Sequence, residues 1–133
     1  MRNILVTGLM TILVSACSSS HSAQALSGMT PISASGDLTM SLSFDPTPPK
    51  QGNETIIVTV KDSGGKAVTG AVVKSDAHMP DMGMTGPSLV FQDNGDGTYS
   101  AIANLNYKTK WVFDVTASQA AATSKAEFKA DVQ

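Results

Sequence analysis

From Asp37 onward the chain alternates apolar and polar residues with a period of two. Leu38, Met40, Leu42 and Phe44 interleave with Thr39, Ser41 and Ser43, which predicts a strand with one buried face. The prolines of Asp45-Pro46-Thr47-Pro48-Pro49 end it by removing amide donors. A second run, Glu54 to Lys61, sets Ile56, Val58 and Val60 against Thr55, Ile57 and Thr59, and Asp62-Ser63-Gly64-Gly65 turns the chain after it. A third strand is expected from Gly70 or Ala71 to Asp76 and a fourth from Ser88 to Gln92. Asp93-Asn94-Gly95-Asp96-Gly97 then makes a turn from residues that tolerate positive φ.

Thr98 to Leu105 follows with Tyr99, Ala101, Ala103 and Leu105 in phase. Trp111, Phe113, Val115 and Ala117 form the next row, and Ala126, Phe128, Ala130 and Val132 the last. About seven short strands separated by turns, with no sustained helical period, predict an all-β fold, an immunoglobulin-like antiparallel β-sandwich. A small closed barrel is the alternative. Trp111 is the expected centre of the core, because a lone Cys17 leaves no internal disulfide.

The N-terminal residues break this pattern. Arg2 precedes an apolar run from Ile4 to Val14, too short to span a bilayer but suited to a secretory signal. It ends in Val14-Ser15-Ala16-Cys17, which resembles a bacterial lipobox. The expected organisation is a signal peptide over 1–16, a lipidated Cys17 with a flexible tether to residue 36, rich in Ser, Ala and Gly, and a folded domain over 37–133. His21 reads as a solvated tether residue. Ser18, where an Asp would favour inner-membrane retention, points to the outer membrane facing the periplasm. The expected membrane partner is therefore the bilayer itself, held through the lipids on Cys17.

Charge changes this picture little. At 133 residues with 15% charged and a formal charge of −2, the chain has room for one domain and offers no basic surface for nucleic acid.

The stretch that does not read as scaffold is His78-Met79-Pro80-Asp81-Met82-Gly83-Met84, which holds three of the five methionines beyond Ala16. Thioethers are soft, uncharged ligands that select Cu(I) or Ag(I) over Zn(II) and need no deprotonation. In an extended segment Met82 and Met84 share a face ~7 Å apart, with His78 on it by parity and Met79 turned away. Met82 and Met84 are thus the first ligand pair to consider, with Met79 and His78 as third and fourth. Pro80 and Gly83 could bend the chain and change that parity. The spacing alone leaves three readings open: metal binding, packing at the end of a sandwich, or a methionine patch that binds a protein.

Two other chemistries fit worse. Calcium would need oxygen donors at alternate positions, where Asp93 to Gly97 offers Gly95 and Gly97. Catalysis finds no partner for His78, so the protein is expected not to be an enzyme.

Gly65-Lys66-Ala67-Val68-Thr69-Gly70-Ala71-Val72, Met79 to Met84 with Pro87 after it, Gly97-Thr98-Tyr99 and a late-strand Trp111 together resemble the YtkA-like and FixH-like family of small exported or membrane-anchored domains. That resemblance implies an immunoglobulin-like sandwich and, for FixH-like members, a role in copper supply to haem-copper oxidases. FixH-like members carry a transmembrane helix where this chain carries a lipobox. The Asp93 to Tyr99 run also resembles a turn in filamin-type and adhesin immunoglobulin-like repeats. The functional expectation is a lipid-anchored Cu(I)-binding protein that buffers the ion or passes it to a copper-accepting or envelope partner. The competing expectation is an accessory or adhesion-type domain that binds a protein partner without metal.

Overall fold

The structure is a computed structural model that describes residues 28–133. The expected signal peptide, Cys17 and His21 lie outside the described residues. Among the described residues nine strands fold into two antiparallel sheets: β1 (Ser33–Ser35), β2 (Thr39–Asp45), β3 (Gly52–Lys61), β4 (Val72–Met79), β5 (Met84–Val90), β6 (Gln92–Asp93), β7 (Thr98–Leu105), β8 (Lys110–Gln119) and β9 (Ala122–Asp131). One sheet has the order β1-β9-β8-β4-β5 and the other β2-β3-β7-β6. No helix among the described residues is long and apolar enough to cross a membrane.

The core is built from the apolar rows. Met40, Leu42, Phe44, Ile56, Val58, Val60, Tyr99 and Leu105 of one sheet meet Val73, Trp111, Phe113, Val115 and Phe128 of the other. The register explains why these rows coincide: Leu42 lies opposite Val58 and Phe113 opposite Phe128, so each pairing stacks two buried positions on one face. The sheets meet where Phe44 stands edge-on to Phe113 at 5.7 Å between ring centroids, and within β8 Trp111 stacks near Phe113 at 6.3 Å. Trp111 is 1% exposed and donates its indole N–H to the Tyr107 carbonyl at 3.0 Å.

Three expectations are corrected. The tether does not run to residue 36: Met29 bridges Leu42 on the edge of β2, the Ile32 N–H donates to Glu127, and Ser33–Ser35 adds a strand beside β9. Alternation could not reveal β1, because its three residues are all small and exposed and backbone pairing alone holds them. The third strand runs past Asp76 through Met79, because β8 continues to pair with it up to His78–Val112. The fourth begins at Met84, four residues early, and splits. β5 stays with β4, then the chain crosses at Phe91, whose N–H donates to Val73, and β6 joins the other sheet.

Each end of the sandwich now has a definite content. One end gathers the Asp62 turn, the Asp93–Gly97 turn and the starts of β4 and β7. The other holds the β4–β5 hairpin with the starts of β3 and β8 and the last residues of β7.

Candidate functional site at the methionine hairpin

The methionine segment is a hairpin, not an extended run. β4 ends at Met79, Pro80–Met82 forms one 3₁₀ turn, and Gly83 leaves it with φ 62° before β5 starts at Met84. Proline at the first position and glycine in the left-handed region after the last are the residues such a turn needs. No side chain caps this turn, and its closing bond is Gly83 N–H to the Pro80 carbonyl at 3.3 Å.

The turn resets the parity. Met79 and Met84 become directly opposed across β4 and β5, which sets their Cβ atoms roughly 4.5–5.5 Å apart on one face. That face is the inner one: Met79 is 2% exposed and belongs to the core cluster, while Met84 at the sheet edge is 39% exposed. Both line a cavity where β5 faces the end of β7, walled also by Gly86, Tyr107 and Trp111, with Asn104 and Asn106 lining it as well. The structure therefore brings Met79 together with Met84, the residue that an extended segment would turn away. Met82 stands on the turn, 44% exposed.

His78 goes elsewhere. Adjacent strand residues point to opposite faces, so next to inward Met79 the imidazole lies on the outer face of the five-stranded sheet. Its Nδ1 sits 3.4 Å from Asp114 Oδ2, an ion pair when the ring is protonated. Asp114 in turn is flanked in register by Asp76 and Glu127, so an acidic row crosses β4, β8 and β9. Lys74 and Lys125, two residues away on their strands, border that row. The expectation that His78 shares a face with Met82 and Met84 is corrected by this geometry. Among the described residues no group of three or more His, Cys, Asp or Glu side chains is placed to hold a metal ion.

Two further residues shape the site. β5 carries a bulge opposite Ala77, where Gly86 and Pro87 take the place of one residue between the Asp76–Ser88 and His78–Thr85 pairs. A Cβ on Gly86 would stand 2.6 Å from Trp111 Cζ3, so the bare glycine is what lets the indole close the cavity. The Gly86-Pro87 dipeptide marks this break in the sequence. No local pattern marks Tyr107, which reaches the cavity only because β7 and β8 are joined there.

As chemistry, the cavity offers neutral sulfur from two opposed strands and aromatic walls, and Met82 carries a further thioether on the exposed turn beside its lining residues in sequence. Such a donor set suits a soft monovalent cation and is poor for a hard one. Aromatic faces add attraction for any cation held against them.

The architecture is that of an immunoglobulin-like sandwich domain with a methionine hairpin at one end. The YtkA-like family model matches residues 32–116, from just before β1 into β8 and across the whole hairpin, and the chain belongs to the YtkA-like family. Two solved structures share the fold. One is the PmoD soluble domain from Methylocystis sp., 13% identical, with 79% of this chain and 98% of that one covered and a TM-score of 0.50. The other is an engineered protein from a structural genomics consortium, 16% identical with a TM-score of 0.51, where the match covers 71% of this chain and 20% of that one. The chain thus corresponds to about a fifth of that engineered protein. No curated protein matches the sequence.

Proposed function

We propose that this protein is a lipid-anchored, extracytoplasmic, non-enzymatic Cu(I)-binding domain that buffers the ion or hands it to an envelope partner. One observation carries the reading: Met79 and Met84 are opposed across the hairpin in a cavity with Trp111, and Met82 adds an exposed third thioether. Thioethers hold Cu(I) without forming disulfides, which suits an oxidising compartment. The lipobox at Cys17 supports an anchor, and the serine after it supports the outer membrane. His78 is left out of the coordination set because it faces Asp114.

Titrating the domain with Cu(I) against a competing chelator tests the reading. Met79→Leu and Met84→Leu should each weaken binding about tenfold or more, and His78→Ala should leave it within about twofold. Lowering the pH to about 4 should release little metal, since thioethers do not protonate there, whereas imidazole ligation would fail below about 6.5. Unaltered affinity in the double methionine variant would sink the copper reading.

The second reading is a protein-binding patch without metal. It is favoured by the exposed Met82, Met84 and Tyr107 at the hairpin end and by Val90 and Ile102 further along the edges of β5 and β7. In that case no Cu(I) would bind and a partner would protect these side chains from labelling.

A further inference from the structure

We infer that Met82 and Met84 form a sulfoxidation site whose modification switches off soft-metal binding at the hairpin; the switching half rests on the Cu(I) reading above. The observation behind it is a contrast within one residue type. Met82 and Met84 are 44% and 39% exposed, whereas Met79 and Met40 are each 2% exposed. Their nearness in the chain therefore hides a difference in chemical reach: an oxidant in solution meets far more of the two outer side chains than of Met79.

The step balances without any group from the protein. A thioether sulfur attacks one oxygen of hydrogen peroxide, the O–O bond breaks, the departing hydroxide takes up the proton of the transferred oxygen, and sulfoxide and water form; sulfur loses two electrons and the peroxide gains them. The product is polar, has lost a sulfur lone pair, and is a harder donor through oxygen, so it is a poor ligand for Cu(I) or Ag(I). Oxidising Met84 also places a polar group beside Met79 and Trp111. The reverse coupling follows: a metal drawing on both sulfur lone pairs protects them from peroxide.

At Met82 the hairpin has little packing to lose on oxidation. Its turn buries none of its residues, and the closing hydrogen bond runs between backbone groups that do not change on oxidation. The modification is therefore a reversible change in donor chemistry on an intact scaffold, open to a methionine sulfoxide reductase at an exposed turn.

The test treats the metal-free folded protein with hydrogen peroxide and follows each methionine by peptide mass. Sulfoxide should accumulate at positions 82 and 84 at least about tenfold faster than at 79 and 40, while Trp111 fluorescence reports an intact fold. Comparable rates at all four positions overturn the site. Ag(I), soft and not redox-active, then serves as the metal probe. The doubly oxidised protein and the Met82→Gln/Met84→Gln variant should both bind Ag(I) at least about tenfold more weakly than the reduced protein. Ag(I)-loaded protein should also resist oxidation at both positions. Equal Ag(I) affinity before and after oxidation overturns the switch. If the reduced protein fails to bind Ag(I) at all, the metal reading and the switch fall together, while the mass map still judges the oxidation site by itself.

Discussion

The turns at the two ends of the sandwich differ in residue type and in what their side chains bond to. At the far end, polar side chains are consumed by the protein's own backbone. Asp62 accepts from the Gly64 and Lys66 N–H groups, Asp93 from Gly95 and Gly70, and Asp96 from Thr98. The Thr98 hydroxyl, then its backbone N–H, hold the Asp96 carboxyl below its ordinary 3.8. Tyr99, fully buried, donates to the Val68 carbonyl at 2.8 Å and accepts from Ala71 N–H at 3.1 Å. At the methionine end the turn has one weak backbone closure and no side-chain cap, and its heteroatoms face outward or into the cavity. Turns whose donors and acceptors satisfy one another build structure; a turn that leaves its sulfurs without internal duties can bind something. The rigidity of the methionine end comes from Trp111 and the β4–β8 ladder beneath it.

That contrast predicts a ranking of effects. Trp111→Ala should be the worst single change, costing about 3–5 kcal/mol by denaturant unfolding, because it removes the wall of the cavity and the stack on Phe113 together. Gly86→Ala should cost about 1–3 kcal/mol, since the new Cβ meets the indole and the Ala77 side chain across the bulge. A loss near zero would mean that the indole can retreat and that the hairpin is not held from below.

At the other end, Tyr99→Phe should cost about 1–2 kcal/mol by leaving the Val68 carbonyl and Ala71 N–H without their partner. The same variant gives a pH signature. Burial, opposed by the Ala71 N–H bond and aided by the charge of Asp93, raises the Tyr99 phenol above its ordinary 10.0. A raised folded value means that the neutral phenol's contribution is complete below pH 10.0 and is lost as pH climbs from there through the folded value. The natural protein should therefore lose stability above pH 10 more steeply than Tyr99→Phe. Parallel curves would remove Tyr99 from the account of that end.

The smallest expected effect is also the most discriminating. Met82→Leu should shift unfolding by under about 0.5 kcal/mol, because the side chain is exposed on a turn that it does not stabilise. A larger loss would make Met82 a packing residue and erase the difference between the two ends.

Alternation foretold most of this scaffold, since a strand with one buried face writes its burial into every second residue. β2, β3, β7, β8 and β9 follow that rule, as do the central place of Trp111 and the turn at Asp93–Gly97. Where backbone pairing alone decides, there was nothing to read: Ser33–Ser35 carries no apolar face, and the crossing at Phe91 depends on which sheet has a vacancy. The site was legible in composition but not in geometry. Pro80 and Gly83 were visible as bending residues, yet whether they make a 3₁₀ turn or a kinked strand depends on β8 holding β4 extended through His78. One turn inverted the parity, bringing Met79 to Met84 and sending His78 to Asp114.

The strap formed by residues 29–35 has a mechanical consequence. It is fastened by the bridge of Met29 to Leu42 and by three residue pairs along β9, whereas the β8–β9 ladder beneath it has ten. Tension applied on the N-terminal side of Gly28 loads those few bonds first. Under such a load residues 29–35 would peel away from the sheet edges before the β2–β3 and β8–β9 ladders part, lengthening the chain ahead of the sandwich by those seven residues.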